Sequence, residues 1–249
     1  IYMINNFVKF LFVIFFCLCN IKDVAAQDPA FSQFYANPLY LNPAFAGSSR
    51  CPRMVMNYRN QWPGINKTYI TYSASYDQHV DALAGGFGMI VTQDAAGDGT
   101  INTTNASAIY SYYLPVTNSF SVKAGLQATY AQKSVDWNKL TFGDMIDNRY
   151  GFVNTTAEVN PQNTVTNMDF SAGLLGYSSS FFIGAAVHHL SEPDEAFIGI
   201  SPLPRKITAH TGAIIPVGRQ SAKYKRRRRR NANTLPESSI SPNILYQKQ

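Results

Sequence analysis

Charge is scarce in this chain. Only 14% of its 249 residues are Asp, Glu, Lys or Arg, against about 25% in an ordinary soluble domain. Cysteine is nearly missing, at three residues, which excludes a disulfide scaffold. Past residue 18 there is no long apolar run, so the chain is not a bundle of membrane helices. What it has instead is 13% aromatic and 45% hydrophobic residues. A disordered chain would show few aromatics and a high net charge. Hydrophobicity without long runs must come from alternation, and alternation means strands.

The formal net charge of +6 is unevenly spread. Residues 223–230 (KYKRRRRR) hold seven cations: Lys223, Lys225, Arg226, Arg227, Arg228, Arg229 and Arg230. Outside that tract and residues 1–26, the chain carries 12 basic and 14 acidic residues. A nucleic-acid binder would spread Lys and Arg over a surface with motif context, and none is visible. The tract reads as a solvated loop, as a dock for an acidic partner, or as a binder of lipid phosphate. Arg suits the dock because its planar guanidinium grips carboxylates with two parallel bonds.

Residues 10–18 (FLFVIFFCL) are apolar and follow Lys9. Val24-Ala25-Ala26 then supply small residues before Gln27. A basic flank, a short apolar core and small residues at −3 and −1 predict a secretory signal peptide cut between Ala26 and Gln27. Lipoprotein processing at Cys19 fits less well, because bulky Leu18 stands where a small residue is wanted. Two of the three cysteines leave with such a signal, and Cys51 is left without an internal partner.

The segment 27–47 (QDPAFSQFYANPLYLNPAFAG) has three prolines and two Asn-Pro steps, which argue against a helix or a central strand. After it the period becomes two. Strands are predicted at 53–60, 67–77, 85–92, 106–114, 119–131, 168–177, 180–188, 206–215 and 240–247. In 119–131, Phe120, Val122, Ala124, Leu126, Ala128 and Tyr130 face one way. Ser121, Lys123, Gly125, Gln127 and Thr129 face the other. A membrane-crossing strand needs about 9–11 residues, apolar outside and polar or small inside. Tyr58, Tyr76, Tyr112, Tyr130 and Tyr177 lie near predicted strand ends, where an aromatic girdle would sit. A secreted soluble β-sandwich is the competing architecture. With a periplasmic N-terminus, the long connections 93–105, 132–167 and 189–205 fall outside and the tight turns 115–118 and 178–179 inside, as in outer-membrane barrels.

The opening block resembles the PorP/SprF family of type IX secretion system outer-membrane proteins. The matching parts are Gln27-Asp28-Pro29, Phe31-Ser32-Gln33-Phe34-Tyr35, Asn37-Pro38 and Leu41-Asn42-Pro43-Ala44-Phe45-Ala46-Gly47. Tyr58-Arg59-Asn60-Gln61-Trp62-Pro63, His210-Thr211-Gly212-Ala213, the basic run and Ile240-Ser241-Pro242-Asn243-Ile244-Leu245-Tyr246-Gln247 look like that family too. The resemblance implies an all-β, transmembrane antiparallel outer-membrane β-barrel of gliding, secreting Bacteroidetes, reached through the Sec pathway. It implies a non-enzymatic role in export or surface anchoring of large client proteins with C-terminal sorting domains. The implied partners are the periplasmic ring and motor of that system, the client and outer-membrane lipid. No nucleic acid or cofactor is implied. The expected layout is 1–26 signal peptide, 27–50 leader and 51–249 partial barrel with a basic periplasmic loop at 218–238. About nine strands of a larger barrel are expected, the chain reading as C-terminally truncated.

Other chemistry weighs less. His188-His189 with Glu192, Asp194 and Glu195 suggests a metal site, but adjacent side chains on an extended segment point to opposite faces. Asp94 and Asp98-Gly99 resemble half a calcium loop without the regular ligand spacing or terminal Glu. No G-x-S-x-G elbow follows a strand, which still leaves an outer-membrane lipase or protease open. No catalytic, metal or cofactor residue is assigned. Asn66, Asn102 and Asn154 head glycosylation-type triplets, read here as polar loop chemistry. A passive porin or solute channel is the alternative to the secretion role.

Overall fold

Alternation of apolar and small polar residues produces one large antiparallel sheet. The computed structural model describes residues 28–64, 69–117, 119–147, 149–157, 162–216 and 239–248. Its long strands are β1 (Arg53–Gln61), β2 (Tyr69–Val80), β3 (Gly85–Ala96), β4 (Ile101–Pro115) and β5 (Phe120–Val135). Two short pairs, β6 (Ile146–Asp147) with β7 (Gly151–Phe152) and β11 (Ile215–Pro216) with β12 (Ser239–Ile240), sit in connections. The sheet continues through β8 (Thr164–Ser178), β9 (Phe181–His188), β10 (Lys206–Ala213) and β13 (Asn243–Lys248). Nine strands pair in the order β1-β2-β3-β4-β5-β8-β9-β10-β13, each with its neighbour in sequence within the sheet. The sheet curls into a half-barrel with β1 and β13 at its edges.

All nine predicted strands are present, but several are longer than their apolar alternation. β3 runs on to Ala96 and β4 begins at Ile101, so the expected loop 93–105 is a tight turn over 97–100. Gly97, Asp98 and Gly99 all have positive φ there. Backbone pairing explains the extension, since polar residues can continue a ladder once their neighbours supply partners. The same ladder removes the half calcium loop: Asp94 lies in β3 and accepts a 2.5 Å hydrogen bond from Thr71 Oγ1.

The two faces are the reverse of a soluble protein's. Tyr72, Met89, Leu126, Met168 and Leu174 are exposed on the convex face. Thr71, Ser73, Ser75, Ser107, Ser111, Thr129, Ser171 and Thr208 are buried on the concave face. Among the described residues, 18 buried side chains are polar or charged and nine are hydrophobic. A soluble sandwich buries its apolar faces between sheets, so that architecture is excluded. One aromatic differs from its predicted place. Tyr177 shares a face with the buried Leu175 and is half-buried on the concave side rather than in an outer girdle.

The convex apolar band has a visible upper border. Val91, Ala106, Tyr130 and Met168 stand side by side across β3, β4, β5 and β8. Two residues further along each strand the row is Gln93, Thr104, Gln132 and Thr166, also in register. Strands β4, β5 and β8 have 15, 16 and 15 residues, several more than a bilayer crossing needs. The excess rises beyond the band as a polar ladder towards the connections 136–163 and 189–205. The opposite end of the sheet carries the tight turns 81–84, 116–119 and 179–180, together with the longer connection 214–242.

Candidate functional site: a leader seated in the barrel wall

Residues 28–50 fill the concave face. The two Asn-Pro steps act as start signals for short turns. A residue before proline is held extended, and proline suits the first helical position. Pro38–Leu41 is a single α-helical turn and Pro43–Phe45 a 3-10 turn. Against the expectation of no helix, the prolines admit a single turn because each stands at its first position.

Leu39, Ala44 and Ala46 are fully buried against the wall. Leu39 and Ala46 form a small core with Ile90 and Ile109, capped by Tyr40 and Phe45. The wall is hollowed where the leader lies. A Cβ on Gly86 would strike the backbone of Ala46 and Gly47, one on Gly125 the backbone of Pro43 and Ala44, and one on Gly173 the Asn42 side chain. These three glycines are there for close approach rather than for backbone freedom.

Asn42 is the central anchor. Its Oδ1 accepts from Ala44 N at 2.8 Å. Its Nδ2 faces Leu174 O at 3.0 Å, Ala185 O at 3.2 Å and His210 Nε2 at 3.0 Å. An amide nitrogen only donates, so His210 Nε2 accepts and its proton sits on Nδ1. Among the described residues that buried Nδ1 has no hydrogen-bond partner. Asn37 Nδ2 donates to Ser73 Oγ at 3.1 Å. Leu41 O receives His188 Nε2 and Thr208 Oγ1, both at 3.3 Å.

At the short-turn end, Ala46 O accepts from Ser111 Oγ at 2.6 Å and from the buried Lys123 Nζ. Asp77 takes Gly47 N at 2.9 Å and Arg53 through Nε at 2.8 Å and Nη2 at 3.0 Å. At the other end, Asp28 Oδ2 meets Lys206 Nζ and His189 Nε2, each at 2.8 Å. His189 Nδ1 meets Asp169 Oδ2 at 2.8 Å. Carboxylates only accept when ionised, so His189 donates from both nitrogens and is an imidazolium. Burial alone would lower its pKa, but the hydrogen bonds and charges of Asp169 and Asp28 outweigh that and raise it to about 9. Burial opposes ionised Asp28 in the same way, and His189 with Lys206 still holds its pKa well below the carboxylate range.

The paired histidines thus depart from expectation. His189 has φ of 58°, a left-handed conformation that His adopts more readily than most residues. It turns the ring inward beside His188, at 6.4 Å between centroids, instead of outward. The nearby acids are spent elsewhere: Glu192 on Arg205 at 2.9 Å, Glu195 on Lys133 at 3.1 Å, and Asp194 on the amides of Ala196 and Ser201. Among the described residues no group of three metal-ligating side chains comes together. Ala26, Gln27 and the cations Lys223, Lys225 and Arg226 to Arg230 lie outside the described residues.

Sequence reasoning found the leader but not its seat. The available signal was the strand polar face, where Lys123, Lys206 and His210 are too costly to bury without partners.

An inside-polar, outside-apolar antiparallel wall with its own N-terminal segment bound inside defines a membrane β-barrel protein. The family model of the type IX secretion system membrane protein PorP/SprF matches residues 23–249, and the chain belongs to that family. A search of the curated proteins finds no match.

Proposed function

We propose that the protein is a non-enzymatic outer-membrane component of the type IX secretion system. It reaches the periplasm through the Sec pathway, loses residues 1–26, and assists export or surface anchoring of proteins with C-terminal sorting domains. The observation that supports this reading over a passive porin is the filled concave face. An open channel keeps its polar lining wet, whereas here Ser73, Ser111, Lys123, Thr208 and His210 are committed to the leader. The basic tract from Lys223 to Arg230 is the candidate dock for an acidic surface of the periplasmic ring or motor.

Affinity purification of the full-length protein from its host tests the role. The secretion reading expects a large sorting-domain client and ring components in the eluate, with little conductance in planar bilayers. Steady partner-free conductance and no client would leave the porin as the better account. Changing Arg226 to Arg230 to Ser should keep the barrel assembled and reduce ring co-purification, and salt should weaken the wild-type interaction. Unchanged co-purification in that variant would reduce the tract to a solvated loop.

A further inference from the structure

The leader does not merely line the lumen; it travels along it. Asp28 is fixed to Lys206, the first residue of β10, and to His189, just past the end of β9. Both lie at the end of the sheet that carries the connections 136–163 and 189–205. Leu41 and Asn42 are bound further down, at His188, Thr208, Ala185 and His210. Ala46 and Gly47 are bound at Ser111, Lys123 and Asp77, close to the turns 81–84 and 116–119. The chain then leaves at that end and enters β1 at Arg53, which is tied to Asp77.

Two independent features orient the wall. Outer-membrane barrels keep short turns in the periplasm and long connections outside. Three tight turns stand at the Gly47 end, beside the longer connection 214–242, and the connections 136–163 and 189–205 stand at the Asp28 end with the tight turn 97–100 and the connection 62–68. The polar ladder that overshoots the apolar band, from Gln93, Thr104, Gln132 and Thr166 upward, also stands at the Asp28 end. A row of paired polar residues projecting past the lipid belongs on the side with space for an exposed rim.

We infer that the leader threads the barrel from the periplasmic mouth to the outer mouth, so that the amino end of the mature chain is displayed at the cell surface. This rests on the outer-membrane reading above, and it moves the periplasmic point from which the connections were counted from the N-terminus to the start of β1. The periplasmic entry point is the stretch from Gly47 to Arg53, and the ion pairs of Asp28 hold the far end at the rim. The leader then closes the wall from inside and presents residues 28–35, including the exposed Tyr35, to whatever meets the outer face.

Cysteine accessibility in the native host tests this with the full-length protein. Cys51 is a free, exposed thiol at the β1 entrance and serves as the periplasmic probe. In a Cys51→Ser background, Ile200→Cys probes the connection 189–205 and Ala30→Cys probes the leader's far end, both at exposed positions. A membrane-impermeant thiol reagent should label Ala30→Cys and Ile200→Cys on intact cells. Cys51 should label only after the outer membrane is opened. Ile200→Cys labelled from outside with Ala30→Cys protected until opening would overturn the threading alone. Cys51 labelled from outside with Ile200→Cys protected would overturn the orientation. Protection of all three until opening would overturn the outer-membrane reading with it. A second variant with six histidines inserted after Gln27, read by antibody on intact cells, reports the same end without relying on Ala30; absence of surface signal from it would also sink the inference.

Discussion

The seat of the leader depends on a few buried polar side chains that the leader and the wall satisfy in each other. Asn42 is the clearest, because its amide oxygen accepts from a backbone amide and its two amide hydrogens are shared among two wall carbonyls and His210. Truncating it orphans several buried groups, each costing about 1–3 kcal/mol. Asn42→Ala is therefore expected to lower thermal stability and to open residues 28–47 to added protease, with the sheet retained by circular dichroism. Unchanged protease resistance would show that the glycine-lined groove alone holds the leader. The Asp28–His189–Asp169 cluster adds a pH dependence. His189 has a folded pKa raised from 6.5 to about 9, so its contribution is complete below about pH 6.5 and lost as the pH climbs through about 9. Asp28 has its folded pKa held below the ordinary carboxylate value of 3.8 by His189 and Lys206 despite burial, so its contribution is complete above that value and lost only in strong acid. The far end of the leader should be held best between about pH 4 and 6.5 and should loosen above about pH 9. Hydrogen exchange of residues 28–36 across that range should show the step, and His189→Gln should abolish it.

Each strand carries two incompatible faces, and single substitutions should tell them apart. Leu126 is 65% exposed on the convex face, in the middle of the apolar band. A cation there meets hydrocarbon, and at the bilayer midplane that costs about 2–4 kcal/mol. Gln132 stands on the same face of β5 but in the polar row above the border, where the same cation costs about 0–1 kcal/mol. Refolding of full-length Leu126→Arg into lipid vesicles should be markedly impaired while Gln132→Arg folds like wild type. Equal penalties would mean the border between those rows is not the edge of the lipid. On the concave face of the same strand, Gly125→Val keeps β propensity but places a branched side chain on the Pro43 and Ala44 backbone. The expected result is an intact sheet with the leader displaced, seen as rapid proteolysis within residues 28–47. A protected leader would show that the groove deforms to admit the side chain.

For the whole molecule, the polar lumen and the leader are one unit. Removing residues 28–47 from the full-length protein leaves Lys123, Asp77, His210 and the Ser and Thr rows to water. The expected outcome is a less stable barrel with higher single-channel conductance in planar bilayers than the intact protein. Identical conductance would mean that the leader does not obstruct ion flow. Much of this design can be read in the chain itself. Local alternation alone dictates the nine strands and which face of each is apolar, because a period of two is a property of each segment by itself. The Asn-Pro block at 27–47 likewise marks the leader as something other than a strand. Strand ends, connection lengths and the destination of the leader depend on pairing between segments. Polar residues such as Gln93 and Asn102 become strand only because β3 and β4 supply each other's hydrogen bonds. His189 faces inward only because two carboxylates from Asp28 and Asp169 meet there, and Asp28 is 161 residues away in sequence. The apolar band was fixed by sequence, since lipid selects side chains one at a time. The leader's path through the lumen was decided by tertiary structure, since a buried polar group is satisfied by whichever partner the fold brings within reach.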